Sequence, residues 1–121
     1  MIDFTIKEGK NTPEVRFYNS INKLTIRGKS FPENAKRFYD DVLLNFKAHL
    51  FPKEFFIELD FEYLSSSSVI SVLEILKRFK SMAPHTKFTV EFYCEDSDDD
   101  MRSIAENYRK ITNMDFVMLN K

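Results

Sequence analysis

Ser65, Ser66, Ser67 and Ser68 form an unbroken run of hydroxyls between two stretches of different periodicity. Before the run, Phe55-Phe56-Ile57-Glu58-Leu59-Asp60-Phe61-Glu62-Tyr63-Leu64 alternates as a strand does; after it, Val69-Ile70-Ser71-Val72-Leu73-Glu74-Ile75-Leu76 has helical spacing. A serine at such a junction caps the helix by accepting a backbone N–H, and Ser66 or Ser67 is the expected cap. The same unpaired N–H groups receive anions well, so the fold tolerates a phosphoserine there. Phosphorylation would add a charge of about −1.5 to −2 to an exposed end of the molecule. The run is therefore a candidate both for capping and for modification.

Other chemistry is thinly supplied. With only Gly9 and Gly28 in the chain, neither a phosphate-binding P-loop nor a dinucleotide fingerprint can be assembled. His49 and His85 fall near a helix end and in a loop, without ligand partners at metal-site spacing, and are expected at the surface. Cys94 closes an alternating segment on its inner parity and is expected as a buried structural thiol. No catalytic trio emerges. The acidic segment Glu95-Asp96-Ser97-Asp98-Asp99-Asp100 lacks the glycine and terminal glutamate of an EF-hand loop. Its carboxylates suit the positive end of a following helix, with Asp98 or Ser97 as the cap. Presentation of negative charge to a partner protein is a further use of that rim. No metal and no cofactor are expected.

Composition narrows the class. The chain has 121 residues, 43% apolar and 31% charged, with 13 phenylalanines, which is enough for one domain, 1–121, with a real core. Eighteen basic and 19 acidic residues leave a net charge of −1, so no overall basic excess exists to hold nucleic acid or an anionic membrane. A single cysteine permits no intrachain disulfide, which suits a reducing compartment. Met1 to Lys7 lacks the basic segment and apolar run of a signal peptide. No window approaches the roughly 20 apolar residues of a membrane span. The expectation is a cytoplasmic protein.

The elements that must position the serines can be read in order. Ile2, Phe4 and Ile6 alternate as an edge strand; Val15 and Phe17, then Leu24 and Ile26, mark two strands joined through Asn19-Ser20-Ile21-Asn22. A first helix opens at Ser30 or Pro32-Glu33, carries Ala35, Phe38, Val42, Phe46 and Leu50 on its apolar stripe, and stops at Pro52. In the following strand Phe55, Ile57, Leu59 and Phe61 share one face. Phe56 interrupts the polar face, which predicts partial covering of that side. A second helix spans Ser67 to Met82, with Val69, Val72, Leu73, Leu76 and Phe79 buried. Phe88, Val90, Phe92 and Cys94 point inward from the next strand. A third helix places Met101, Ile104, Ala105, Tyr108 and Ile111 on one face, and Asp115 to Leu119 forms a last strand. Helices alternating with strands predict an α/β fold, a mixed sheet with about three packed helices.

Several segments in sequence resemble the SiaC family of bacterial regulatory phosphoproteins, whose fold is like that of the STAS domains of anti-sigma-factor antagonists. Thr12-Pro13-Glu14-Val15-Arg16-Phe17 is similar to the family's opening strand. Leu24-Thr25-Ile26-Arg27-Gly28-Lys29-Ser30-Phe31-Pro32-Glu33-Asn34, with Phe38-Tyr39 after it, resembles its Gly-x-Ser-x-Pro-Glu-Asn segment and first helix. Leu59-x-Phe61-Glu62-Tyr63-Leu64 with the serine run resembles its Leu-x-Tyr-Phe-Asn-Thr-Ser-Ser motif, and Asp98-Asp99-Asp100-Met101 its acidic turn. The resemblance runs from about Thr12 to Tyr108.

That resemblance implies a non-enzymatic switch. In such proteins a serine/threonine protein kinase phosphorylates the hydroxyl after the motif's Asn, and a PP2C-like phosphatase removes the phosphate. The unphosphorylated form binds and activates a diguanylate cyclase, controlling c-di-GMP signalling and biofilm formation. Carried onto this chain, the phosphorylated residue is Ser66, with Ser65 and Ser67 as rival acceptors. Serine stands here for the family's threonine, Ser65 for its Asn, and Ile70 for a lysine that usually follows. The expected docking surface comprises Tyr63, Leu64, Ser65, Ser67 and Ser68, bordered by Pro32, Glu33 and Asn34. Two other readings use the same residues differently. One is an ordinary STAS anti-sigma-factor antagonist; the other is a small enzyme or metal protein built on the acidic turn.

Overall fold

The computed structural model describes residues 3–121; Ile2 of the expected edge strand lies outside them. Alternating apolar residues build β1 (Phe4–Ile6), β2 (Glu14–Tyr18) and β3 (Lys23–Ser30), with a 3₁₀ turn at Asn19–Ile21 and Asn22 in the left-handed region between β2 and β3. The rest alternates: α1 (Ala35–Leu44), β4 (Glu54–Leu64), α2 (Ser66–Met82), β5 (Lys87–Tyr93), α3 (Asp99–Thr112) and β6 (Asp115–Leu119). The six strands form one sheet in chain order, antiparallel from β1 to β3 and parallel from β3 to β6.

The three crossovers all step in the same direction across the sheet. With the right-handed sense such connections take, all three helices fall on one face. There α1 packs on α2 and α2 on α3. The core lies between helices and sheet and is rich in aromatic rings: Phe46 meets Phe17 and Phe79 at centroid distances of 4.9 and 5.1 Å. Each such buried phenylalanine is worth about 1.5–3 kcal/mol of transfer free energy, which suits a sheet with helices on a single side.

Among the described residues no helix covers the other face, yet it is partly buried, as expected from Phe56, which is itself half-buried. Its neighbours bury one another instead. Glu58, central on that face and 3% exposed, accepts from Arg27 at 2.7–2.8 Å and pairs with Lys23 at 3.3 Å, while Lys23 also reaches Glu91 at 2.7 Å.

Two helix readings need correction. α1 begins at Ala35, capped by Asn34, whose side chain accepts from the Arg37 N–H at 3.1 Å; Ser30 is instead buried at the end of β3. α1 ends at Leu44 because Asn45 donates its side-chain amide to the Asp41 and Val42 carbonyls, and the next residues bond i to i+3. The stripe therefore runs through Tyr39 and Leu43, and Leu50 is exposed. In α3 the buried residues are Met101, Ala105, Tyr108 and Thr112. Ile111 faces solvent, one position off the stripe.

A β-bulge shapes the approach to the serines. Gly28 pairs with Phe61 but Lys29 pairs with Tyr63, so Glu62 is the extra residue. Gly28 takes φ 113°, which a side chain would strain. The bulge reverses the alternation: Tyr63, inward by parity with Phe61, is exposed.

Candidate functional site

The carboxyl ends of β3 and β4 run side by side into the serine run. Ser65 donates its N–H to the Ser30 carbonyl at 2.9 Å, continuing the strand pairing to the last residue before α2. Its backbone is still extended, and its Oγ accepts from the Ser68 N–H at 3.2 Å. Ser65 is thus the cap, one residue earlier than expected, because the strand bond to Ser30 holds it outside the helix.

Below the surface the hydroxyls continue. Ser65 donates to Ser68 Oγ at 3.0 Å; Ser68 Oγ lies 2.8 Å from Ser30 Oγ, which lies 2.7 Å from the Tyr39 hydroxyl. Ser68, Ser30 and Tyr39 have no exposed surface, so each of these polar groups needs such a partner. From the other side, Tyr108 of α3 donates to the Val69 carbonyl at 2.5 Å. The first turn of α2 is therefore held by Tyr108 of α3 directly and by Tyr39 of α1 through Ser30. Burial pushes both phenols well above their ordinary range, so both stay protonated and able to donate.

Above the surface, Ser66 and Ser67 are exposed. Ser67 Oγ approaches Ser65 Oγ at 3.3 Å; Ser66 Oγ takes no part in these bonds. The first turn of α2 contains no acidic residue. Around it stand exposed apolar groups: Tyr63 near the end of β4, Ile70 one turn into α2, and Phe31, whose ring meets Tyr63 edge-on at 5.7 Å. Pro32, Glu33 and Asn34 follow Phe31 directly at the same end of the sheet, with Glu33 and Asn34 exposed.

The structure thus brings together Tyr63, Leu64, Ser65, Ser66, Ser67 and the Pro32-Glu33-Asn34 turn. Ser68 does not belong to that surface: it is fully buried and presents nothing to a partner. Phe31, Ser30, Tyr39 and Tyr108 carry roles that the sequence reading did not assign. Ser30 had a signal, since strand alternation from Leu24 and Ile26 turns it inward, where a hydroxyl requires a partner.

The remaining candidates lie elsewhere. Asp98 caps α3, its carboxylate accepting from the Met101 N–H at 3.0 Å, with Asp99 and Asp100 in the first turn. Among the described residues, no group of three or more His, Cys, Asp or Glu side chains is arranged to hold a metal ion. Cys94 is buried, and burial raises its thiol pKa, the opposite of what a nucleophile needs. His85 is exposed, but His49 is not the surface residue expected. Its ring stands perpendicular to Phe17, Phe46 and Phe51 at 4.9–5.7 Å, and its Nε2 is buried without a partner among the described residues. Burial lowers its pKa, against a raising influence of Asp3.

Comparison with known proteins decides the lineage. The model of the SiaC family regulatory phosphoproteins matches residues 6–121. The chain belongs to the SiaC family. Solved structures of SiaC from Pseudomonas aeruginosa share its fold. The apo-SiaC crystal structure aligns with a TM-score of 0.79 at 20% identity, covering 98% of each chain. SiaC in complex with the diguanylate cyclase SiaD, described there as its activator, aligns at 0.82 and 20% identity over 98% of this chain and 100% of that one. A further SiaC structure from the same organism aligns at 0.81 and 20% identity over the full length of both. No curated protein matches. Membership of this family makes the chain a regulatory phosphoprotein with a mixed α/β fold. Among the described residues, no helix is long and apolar enough to cross a membrane.

Proposed function

We propose that this SiaC family protein is a cytoplasmic partner-switching regulator, one domain with no catalysis of its own, whose state is set by phosphorylation of Ser66. Unphosphorylated, it docks on and activates a diguanylate cyclase through Tyr63, Leu64, Phe31 and the exposed start of α2, with Pro32, Glu33 and Asn34 at the border. A serine/threonine protein kinase adds the phosphate and a PP2C-like phosphatase removes it. The observation that carries this reading is the placement of Ser66: an exposed hydroxyl, outside every bond of its cap, at an uncharged helix start ringed by exposed apolar side chains.

The mechanism follows from those surroundings. Three exposed apolar groups offer area to a partner, and a neutral first turn imposes no charge to desolvate. A phosphate at Ser66 reverses this locally. The α2 N–H groups and dipole tolerate it in the free protein, so the fold survives modification. Docking would then require stripping water from a dianion amid Phe31, Tyr63 and Ile70, and that cost disrupts binding.

The deciding experiment measures binding of a GGDEF-type diguanylate cyclase, and its output of c-di-GMP, with unmodified protein, phosphorylated protein and Ser66→Asp. Binding and activation by the first alone are expected. A Ser66→Asp variant that binds as tightly as the unmodified chain overturns the mechanism. Capture of an anti-sigma kinase together with its sigma factor, in place of a cyclase, would assign the client to the STAS antagonist reading.

A further inference from the structure

Ser67, Ser65, Ser68, Ser30 and Tyr39 make a continuous file of hydroxyls from the surface into the core, with successive separations of 3.3, 3.0, 2.8 and 2.7 Å. A hydroxyl has one proton to donate. Ser65 gives its proton to Ser68, and in the Ser68–Ser30 and Ser30–Tyr39 links either oxygen can be the donor.

The four serines of the run are consequently not equivalent as acceptors. Esterifying Ser65 removes the proton that Ser68 receives and weakens the cap. Ser68 is fully buried, beyond reach of a phosphoryl donor. Ser67 stands at the end of the file, tied by its longest link. Ser66 is outside the file, so its esterification breaks none of these bonds.

We propose that this buried hydroxyl file selects the acceptor, with Ser30, Ser68 and Tyr39 as positioning residues that keep Ser65 engaged and leave Ser66 to be modified. The inference rests on the phosphorylation reading above and names its regulation. In the step itself, Ser66 Oγ attacks the γ-phosphorus of ATP held by a serine/threonine kinase. The new O–P bond forms as the bond from the γ-phosphorus to the bridging oxygen breaks. The hydroxyl proton passes to a base of the kinase, and ADP leaves.

The test reads where the phosphate goes. The full chain is incubated with ATP and an extract of its source cells, and phosphate on each serine is quantified by mass spectrometry against labelled phosphopeptides. Unaltered protein is expected to carry phosphate on Ser66. Ser68→Ala frees the Ser65 hydroxyl, and the ratio of Ser65 to Ser66 phosphate should rise about tenfold, the worth of one lost hydrogen bond. Tyr39→Phe, which keeps the ring in the core, should shift the ratio the same way by a smaller factor. Val90→Ala, a core change remote from the file that lowers stability comparably, should leave the ratio unchanged.

An unaltered ratio in both Ser68→Ala and Tyr39→Phe overturns the file as selector while leaving Ser66 as the switch. A ratio that shifts equally in Val90→Ala also overturns it, since loosened packing would then suffice. Should Ser68→Ala fail to fold, Tyr39→Phe decides alone. Absence of phosphate from all four serines of unaltered protein overturns the phosphorylation reading itself, an outcome distinct from the others.

Discussion

Helices α2 and α3 both begin just past a parallel strand, yet their first turns meet the positive end of the helix dipole in different ways. α3 is supplied with permanent charge, Asp98 at the cap and Asp99 and Asp100 behind it. α2 has a serine cap, no acidic residue in its first turn, and two exposed serines. One dipole is answered by encoded carboxylates and the other meets only hydroxyls. The apolar surroundings differ to match: Phe31, Tyr63 and Ile70 are exposed around the start of α2, whereas Met101 at the start of α3 is buried. A helix start can thus be neutral because nothing is needed there, or because its charge must be reversible. Exposed apolar neighbours, as at α2, are what the reversible charge proposed above would act on.

The largest expected effect breaks this contrast directly. Ser66→Glu should weaken cyclase binding by roughly 100-fold, about 2.7 kcal/mol, because a charge enters a desolvated apolar contact. Ser97→Asp, adding the same charge beside α3, should change affinity less than about twofold, as rim charges do. Isothermal titration of both variants against the cyclase checks the pair.

Next in size is the support beneath each start. Ser68→Ala leaves Ser30 and Ser65 short of a buried partner and should cost about 1–3 kcal/mol in urea unfolding. Asp98→Ala removes a surface cap and should cost about 1 kcal/mol. If the two costs prove equal, the file beneath α2 adds nothing beyond a cap.

Mild acid should act on His49, which lies beyond the C-terminal end of α1. Its folded-state pKa lies below the ordinary value of 6.5, so the unfolded chain binds the proton more readily. Stability is therefore fully present above about pH 6.5 and declines as pH falls below it, towards the depressed folded value. The urea midpoint should drop between pH 7.5 and 5.5, and the drop should be smaller in His49→Gln.

The smallest effect sharpens the comparison most. Ser67→Asp should raise the stability of the free protein by about 0.3–1 kcal/mol, supplying α2 with what α3 already has. Asp99→Asn should lower it by a similar amount, and salt should shrink both changes. Thermal melts at low and high ionic strength test this. A destabilising Ser67→Asp would show that the α2 start does not welcome an anion.

Most of the fold was legible because its signals are local. Alternation in Phe55–Phe61 and Phe88–Cys94, the helical stripe from Val72 to Phe79, and Asp98 before α3 each depend on neighbours within one element. What escaped depended on contacts between elements. The end of α1 is set by the Asn45 side chain and a tightened turn, while Pro52 lies well beyond it. The exposure of Tyr63 follows from a bulge against Gly28, which no alternation within β4 encodes. Of the candidate surface, the serine run, Tyr63 and Pro32-Glu33-Asn34 could be named from sequence. Their joining at one end of the sheet, the burial of Ser68, and the service of Tyr39 and Tyr108 required the tertiary arrangement. His49 was misplaced because its aromatic surroundings come from β2, β4 and the α1–β4 connection together.

The strict chain order of the six strands bears on how the protein is made. Each strand pairs with the one synthesised immediately before it, so none has to be threaded between two strands already joined. Such a sheet can grow by accretion at one edge as the chain leaves the ribosome. Ser30, Tyr39, Tyr63 and all four serines have emerged once α2 is complete at Met82, and only Tyr108 is still to come. The end of the sheet that carries the serine run is thus laid down first, and the last third of the chain adds β5, α3 and β6 beside it.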